Sequence, residues 1–507
     1  MLNFFSTKRP DHPLGEAREF KRVLAKLPQD AFKAVDEVYN WFESLKHADD
    51  FRIDRLYEVV DGLDCAAQPH LRRLTRHYLR TPRLSKNEER RLWAVCFNYW
   101  GEVSWLYARC AERLEKNPKE KGADAFRRVL PVAATRLMAA RSNQLKWIDF
   151  RYGVVGEDLW RGLGAPYLAA EAEGYAQRAV QIYPGAPGTT CVALQYLQAL
   201  VRASSSMDAL LPLEIELADR LIVHFLPAFV FGAECLPGNA YWVDAANAQP
   251  PKRMVNPPVK PAPGVRFFQP GAVSQALAEL IHAVERGTVP AELNLGTGYP
   301  VPMLLKVLQH LAQYWSPVPP KREHVRHAVK TRMSVLEGFN RSLAAFAGNV
   351  ARLGVERSAE SWIVENVSLG GFCAGAEVAG DWLAIGSLLC LQPEGGENWV
   401  LGVVRRRGVN ADSHHASIGI QTLSRNAQSV ELRPRASGLS ADAIPGIWLR
   451  GDGDDEQARL VLPPGSFDVR QILEFVHEER RYLLTPMEIE ESGGDFEIGD
   501  YRAQVIA

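Results

Sequence analysis

The feature that most limits what this chain can fold into is a change of hydrophobic period close to Pro320. Before it, apolar residues recur every three or four positions, which places them on one face of an α-helix. After it, short runs rich in Val, Ile, Leu and Trp are separated by Gly, Asn and Asp, the pattern of β-strands joined by turns. One core cannot serve both patterns over 507 residues, so the chain divides into domains.

The helical period is clearest in three stretches. Phe32, Val35, Tyr39, Phe42 and Leu45 form one stripe, and Ile53, Leu56, Val59, Val60 and Leu63 a second. Leu92, Cys96, Tyr99, Val103, Leu106 and Cys110 form a third, in a longer helix with Ser85 placed to cap its start. Further helices are predicted over Ala123–Asp149, Tyr167–Ile182, Cys191–Ala203 and Met207–Leu226. Trp93, Trp100 and Trp105 read as core. No fixed repeat length emerges, so the expectation is an irregular helical domain over residues 1–248.

Residues 249–320 are expected to be a linker carrying two helices, over Gly271–Arg286 and Val301–Trp315. The segment Gln249–Gly264 holds six prolines, which remove backbone donors and favour extended chain. GTGYP at Gly296–Pro300 reads as a turn.

Strands are predicted in TRMSVLEGF, SWIVENVSL, WLAIGSLLCL, NWVLGVVRR, ASIGIQTLS and QSVELRP, at the spacing of an antiparallel barrel. Beyond residue 434 further strands are expected near Ala458–Leu462, Tyr482–Glu490 and Phe496–Val505. Ser466–Glu478 fits either a strand or a short helix. The fold class is therefore multidomain α+β: a helical N-terminal domain, an antiparallel β-barrel over residues 321–434 and a β-rich extension over 435–507.

Composition narrows function. A net charge of −1 argues against a chain-wide field for nucleic acid or acidic membranes. The N-terminal sequence has no signal-peptide pattern, and the apolar run Leu221–Leu236 is too short to cross a bilayer and reads as a buried core helix. Seven cysteines without a C-x-x-C pair read as reduced thiols. A cytoplasmic location is expected. No nucleophile elbow, P-loop or dinucleotide fingerprint is present, so no catalytic residue, cofactor or metal is assigned, and His414 and His415 read as a polar hairpin tip.

Two motifs stand out in the β half. Arg322-Glu-His-Val-Arg326 follows the proline segment, and Asn366-Val-Ser368-Leu-Gly370-Gly371 ends the strand WIVENVSL. Arg-x-x-x-Arg alone has little value: it recurs at Arg18/Arg22, Arg72/Arg76 and Arg109/Arg113, in helices where such pairs make a solvated face. Asn-x-Ser-x-x-Gly occurs once. In order, and followed by the strand SIGIQTLS, the two motifs resemble the signature of PilZ domains over about Lys321–Pro434.

That resemblance implies a bacterial receptor for cyclic di-GMP. Arg322 and Arg326 would fold over the ligand, their planar forks suiting guanine O6/N7 or phosphate. Asn366 and Ser368 would hydrogen-bond it, and Gly370 and Gly371 would allow a tight turn and close approach. The separation of Arg326 from Asn366 is longer than in a compact PilZ domain, and Asn340–Ser361 is the insertion, either an enlarged hairpin or a short helix. Arg405, Arg406 and Arg407 read as solvated residues at a strand end more readily than as part of the ligand face. The role implied is a non-enzymatic effector in motility or biofilm regulation, with a protein partner bound through the helical domain. The alternative is a constitutive scaffold whose PilZ fold binds no nucleotide.

Overall fold

A computed structural model describes residues 10–81, 84–255, 257, 260–296, 298–316, 325–348, 359–368, 370–377, 383–396, 398–409, 415–435, 443–450 and 457–506. The chain divides into two units. The first comprises residues 1–151, 155–207 and 212–320, the second 152–154, 208–211 and 321–507.

The first unit is built from α1 (Ala17–Ala25), α2 (Ala31–Leu45), α3 (Ile53–Arg80), α4 (Lys86–Lys116), α5 (Ala123–Asp149), α6 (Glu157–Ala172), α7 (Val192–Ser204) and α8 (Pro212–Phe225). The apolar stripe of α4 is buried as the periodicity requires, and the Ser85 hydroxyl accepts from Glu88 N at 3.2 Å to cap its start. In α2 the inward row is Val35, Val38, Phe42 and Leu45, while Tyr39 is half-buried. The helix expected over Tyr167–Ile182 instead starts earlier, as α6, and ends at Ala172. Gly174, at φ 78°, then turns the chain toward a bridge between Val180 and Thr190. Trp105 is exposed, with Lys46 and Arg109 over its ring, and so is not core. Arg109 and Arg113 are not a solvated face either: they donate to the Leu45, Lys46 and Phe51 carbonyls.

Two buried polar hubs join these helices. Asp64 accepts from Gln68 at 2.7 Å, Tyr99 at 2.7 Å and Tyr107 at 2.8 Å. Asp219 is held by Arg202, by Gln198 at 2.9 Å and by Lys146 at 3.1 Å. Asp219 keeps its charge in the core because it is paired and hydrogen-bonded in this way, whereas burial pushes the Asp64 carboxyl up against the hydrogen bonds it accepts.

The segment expected as a linker belongs to the first unit. It supplies part of a four-stranded sheet of order β1-β4-β2-β3 (β1 Val230–Gly232, β2 Tyr241–Asp244, β3 Lys252–Arg253, β4 Val265–Gln269). It also supplies α9 (Val273–Glu285) and α10 (Val301–Tyr314). The prolines interrupt the chain around β3 without excluding it from the sheet, because β3 lies at an edge. Among the described residues no helix is long and apolar enough to cross a membrane, no disulfide forms, and no cluster of His, Cys, Asp and Glu could hold a metal.

The second unit contains two closed antiparallel barrels. The first has the order β10-β7-β6-β5-β8-β9, from β5 (His327–Glu337), β6 (Glu360–Ser368), β7 (Gly371–Glu377), β8 (Leu388–Pro393), β9 (Val400–Val409) and β10 (His415–Ser424). Its interior holds Met333, Trp362, Val364, Ala374, Leu389, Val404, Ile418 and Ile420. The second, β11-β12-β13-β16-β15-β14, is formed by β11 (Ala427–Pro434), β12 (Ile444–Leu449), β13 (Gln457–Leu462), β14 (Leu473–His477), β15 (Arg480–Ser492) and β16 (Glu497–Ile506). The expected extension is thus a barrel of its own, and it takes β11 from within the range assigned to the first. The segment open between strand and helix gives β14.

The insertion after β5 begins as α11 (Phe339–Phe346); residues 349–358 lie outside the described residues. Phe339, Leu343 and Phe346 pack with Leu401 and Val403 of the first barrel and Ile447, Val461 and Ile498 of the second. This helix is therefore part of the apolar seam between barrels.

Candidate functional site

The outer face of the first barrel has a groove of about 360 Å³ at the start of β5 and the β6–β7 hairpin. Arg326, Asn366, Ser368, Gly370 and Gly371 all line it. Five of the six residues singled out from sequence are thereby brought together. The sixth, Arg322, lies outside the described residues.

Strand register explains the meeting. Asn366 pairs with Ala328 on β5 and with Cys373 on β7. Cys373 pairs with Gly419 on β10, and Gly419 with Arg406 on β9. Ala328, Asn366, Cys373, Gly419 and Arg406 thus form one row across five strands.

Two β-bulges set which way that row faces. Trp362 and Val364 point into the barrel, so regular alternation would send Asn366 inward as well. Glu365 is an extra residue opposite β7, between the Val364–Ala374 and Asn366–Cys373 pairs, and it returns Asn366 to the outside. On β9, Arg405 is the extra residue between the Gly419–Arg406 and Ile420–Val404 pairs. Val404 points inward, Arg405 and Arg406 both reach the groove, and Arg407 turns back, donating Nη1 to the Leu383 carbonyl at 2.8 Å. The three consecutive arginines are therefore not a uniform solvated end. The cue in the sequence was present, but a bulge cannot be located from the strand pattern alone.

The groove is cationic. Arg326, Arg405 and Arg406 line it with no Asp or Glu among the described lining residues. Arg326 is exposed, two residues before the Ala328–Asn366 pair, and has no ion-pair partner among the described residues. The Asn366 amide is likewise without a hydrogen-bond partner there. Arg405 is engaged on two sides: Nε donates to Gln421 Oε1 at 2.7 Å, and Nη1 and Nη2 grip Glu491 of the second barrel at 2.5 and 2.6 Å.

Ser368 and the glycines build the hairpin itself. Ser368 pairs with Gly371, its hydroxyl donates to the Gly371 carbonyl at 3.3 Å, and the Gly370 carbonyl accepts from Thr422 N at 3.0 Å. A β-carbon on Gly371 would collide with the Ile420 carbonyl. Gly371 is thus required by the neighbouring strand, whatever approaches from outside. Gly419 has a similar but looser constraint, since its β-carbon would lie 3.1 Å from Arg406 Cβ.

The groove and barrel define a class, a closed six-stranded antiparallel β-barrel with a cationic groove on its outer face. Residues 18–234 match a family model described as Cyclic-di-GMP receptor FimW, N-terminal domain. The match spans α1 to β1 and ends before either barrel. The description is that of a receptor, and the matched residues lie in the helical region. No curated protein matches the chain.

Proposed function

We propose that this chain is a cyclic di-GMP receptor in which the first barrel is a PilZ-type module and its bulged face holds the ligand. The observation that carries this reading is that Asn366, Gly419 and Arg406 of one cross-strand row, with Arg326 at its edge, line one cationic groove. Two guanines and two phosphates offer the acceptors that planar guanidinium forks and a free amide recognise. Arg322 and Arg326 close over the ligand, Asn366 and Ser368 bond to it, and Gly370 and Gly371 admit it to the hairpin. Arg405 and Arg406 extend the cationic wall. The family match of the helical region independently supports cyclic di-GMP as the messenger.

As an effector the protein needs no catalytic group. Ligand changes how the helical region meets a protein partner, which requires different ligand affinity in the two states. A cytoplasmic setting and control of motility or biofilm follow from the same resemblance.

A silent barrel acting as a constitutive scaffold is the second reading. It draws on two facts: Ser368 is spent on its own hairpin, and Arg405 is already paired with Glu491. Titration calorimetry on the full chain separates the two. Saturable binding of cyclic di-GMP at micromolar concentration, with GMP and GTP much weaker, is expected. Absence of that binding leaves the scaffold.

A further inference from the structure

Gln68, Arg72, Arg76 and Arg80 recur at intervals of four on α3 and share one face of it. This face borders two cavities inside the first unit, of about 310 and 390 Å³, which have Thr75, Glu216 and Arg220 as common walls. Arg72, Lys146 and Arg220 line one, and Arg76, Arg80 and Arg220 the other. Glu216 is the single acid among the described lining residues of either.

That carboxylate is already balanced, by Lys146 at 3.0 Å and Arg220 at 3.2 Å. Arg72 and Arg76 are left with no ion-pair partner among the described residues. The chain as a whole carries a net charge of −1, so this local excess does not reflect a generally basic protein. The far wall is the turn before α10, where Tyr299 lies under the guanidiniums of Arg80 and Arg220, at 5.7 and 5.9 Å from its ring centre. Stacking of this kind holds the arginines in place while leaving their N–H edges free to donate.

We propose that this cleft is a second ligand site, in the helical unit, for a compound bearing two or more phosphates. Residues four apart on a helix rise by about 6 Å, so Arg72 to Arg80 spans about 12 Å, a reach suited to several phosphates rather than one. Walled cavities of a few hundred Å³ fall in the range of small-molecule sites, which favours a nucleotide-like anion over an acidic protein surface.

The test uses the full chain, inorganic triphosphate and cyclic di-GMP, read by titration calorimetry. Triphosphate should bind the unaltered protein and a barrel variant, Arg326→Ala with Asn366→Ala. It should bind at least about tenfold more weakly to Arg72→Ala with Arg76→Ala, since hydrogen bonds between a guanidinium and a phosphate are among the strong ones. Both arginines are exposed, so the melting temperature should not change. No triphosphate binding, binding unaffected by the helical pair, or binding lost with the barrel pair overturns the proposal. With cyclic di-GMP, residual binding in the barrel variant that disappears on adding the helical pair identifies the messenger as the source of the phosphates. Intact triphosphate binding without that residual assigns the cleft to a linear phosphate chain.

Discussion

Asn366 and Arg406 stand on the same cross-strand row of the first barrel, separated by Cys373 and Gly419, and each faces outward because a β-bulge lies beside it. If Glu365 took an ordinary place in the alternation instead of bulging, the amide would point into the apolar core, where an unpaired amide costs several kcal/mol. If Arg405 did likewise, the Arg406 guanidinium would point inward too. Bulges concentrate where a side chain has to be re-aimed, and here two of them serve one groove.

The first prediction concerns that row. Arg326→Ala and Arg406→Ala should each weaken cyclic di-GMP binding by about tenfold or more, the loss of one bidentate contact of roughly 1–3 kcal/mol. Arg326 is exposed and makes no ion pair among the described residues, so its replacement should leave stability within about 0.5 kcal/mol. Calorimetry and thermal melting of the same preparations check both parts. A large fall in melting temperature for Arg326→Ala would show the residue to be structural.

How much of this was legible beforehand depends on the range over which each feature is determined. Period alone marks α2, α4, α5 and α7, because an amphipathic helix is a local pattern. Strands β5, β6, β9, β10 and β11 were visible for the same reason. By contrast β7, GFCAGAE, has four glycines and alanines and no β-branched residue, and only pairing with β6 and β10 makes it a strand. Strand β3 was hidden by prolines that its edge position tolerates, and β1 by the apolar run Leu221–Leu236, in which the helix in fact ends at Phe225. The motif residues were found by order and type. Arg405 and Arg406 were underrated because their direction depends on a register shift against Gly419, which no single strand encodes.

Gly371→Ala should destabilise the second unit whether or not ligand is present. The added carbon meets the Ile420 carbonyl, which is fixed in β10 and cannot swing aside as a side chain would. Overpacking of this kind costs about 1–3 kcal/mol. Gly408→Ala is the matched control on β9, since its nearest neighbour would be the Ser417 carbonyl at 4.0 Å, ordinary contact. Denaturant unfolding should separate the two, and equal effects would remove the steric account of Gly371.

In the first unit the Asp219 hub sets an acid limit. Burial alone would push this carboxyl up, but Arg202 and Lys146 outweigh burial and hold it well below its ordinary value of 3.8. A group with a depressed folded-state pKa contributes stability that is fully present above its unfolded value and is lost as pH falls from there toward the folded one. The contribution should therefore be constant above about pH 5 and decline below about pH 4. Asp219→Asn should cost about 3–5 kcal/mol at pH 7, because buried Arg202 loses its charged partner and Lys146 keeps only Glu216. It should also flatten this part of the acid decline. Urea unfolding of both proteins from pH 7 to pH 3 measures the difference, and parallel curves would assign the acid sensitivity elsewhere.

The last prediction follows from the double use of Arg405. Its guanidinium is clamped by Glu491 at 2.5 and 2.6 Å and by Gln421 at 2.7 Å while it lines the groove proposed to hold the ligand. A phosphate entering the groove competes with Glu491 for the same fork, since one guanidinium edge cannot serve two bidentate partners at once. Glu491→Gln removes the competing charge but keeps the shape, so cyclic di-GMP should bind a few-fold more tightly. The pair is partly exposed, with side chains 38% and 21% accessible, so solvent screening limits the gain. Adding Arg405→Ala should abolish the gain, which a general loosening of the barrels would not do. In the unaltered chain, ligand should speed hydrogen exchange at the β15 bulge around Glu491 while slowing it in the β6–β7 hairpin. Slower exchange at both places would mean that Arg405 keeps Glu491 when ligand is bound, and that the second barrel does not sense the first through this residue.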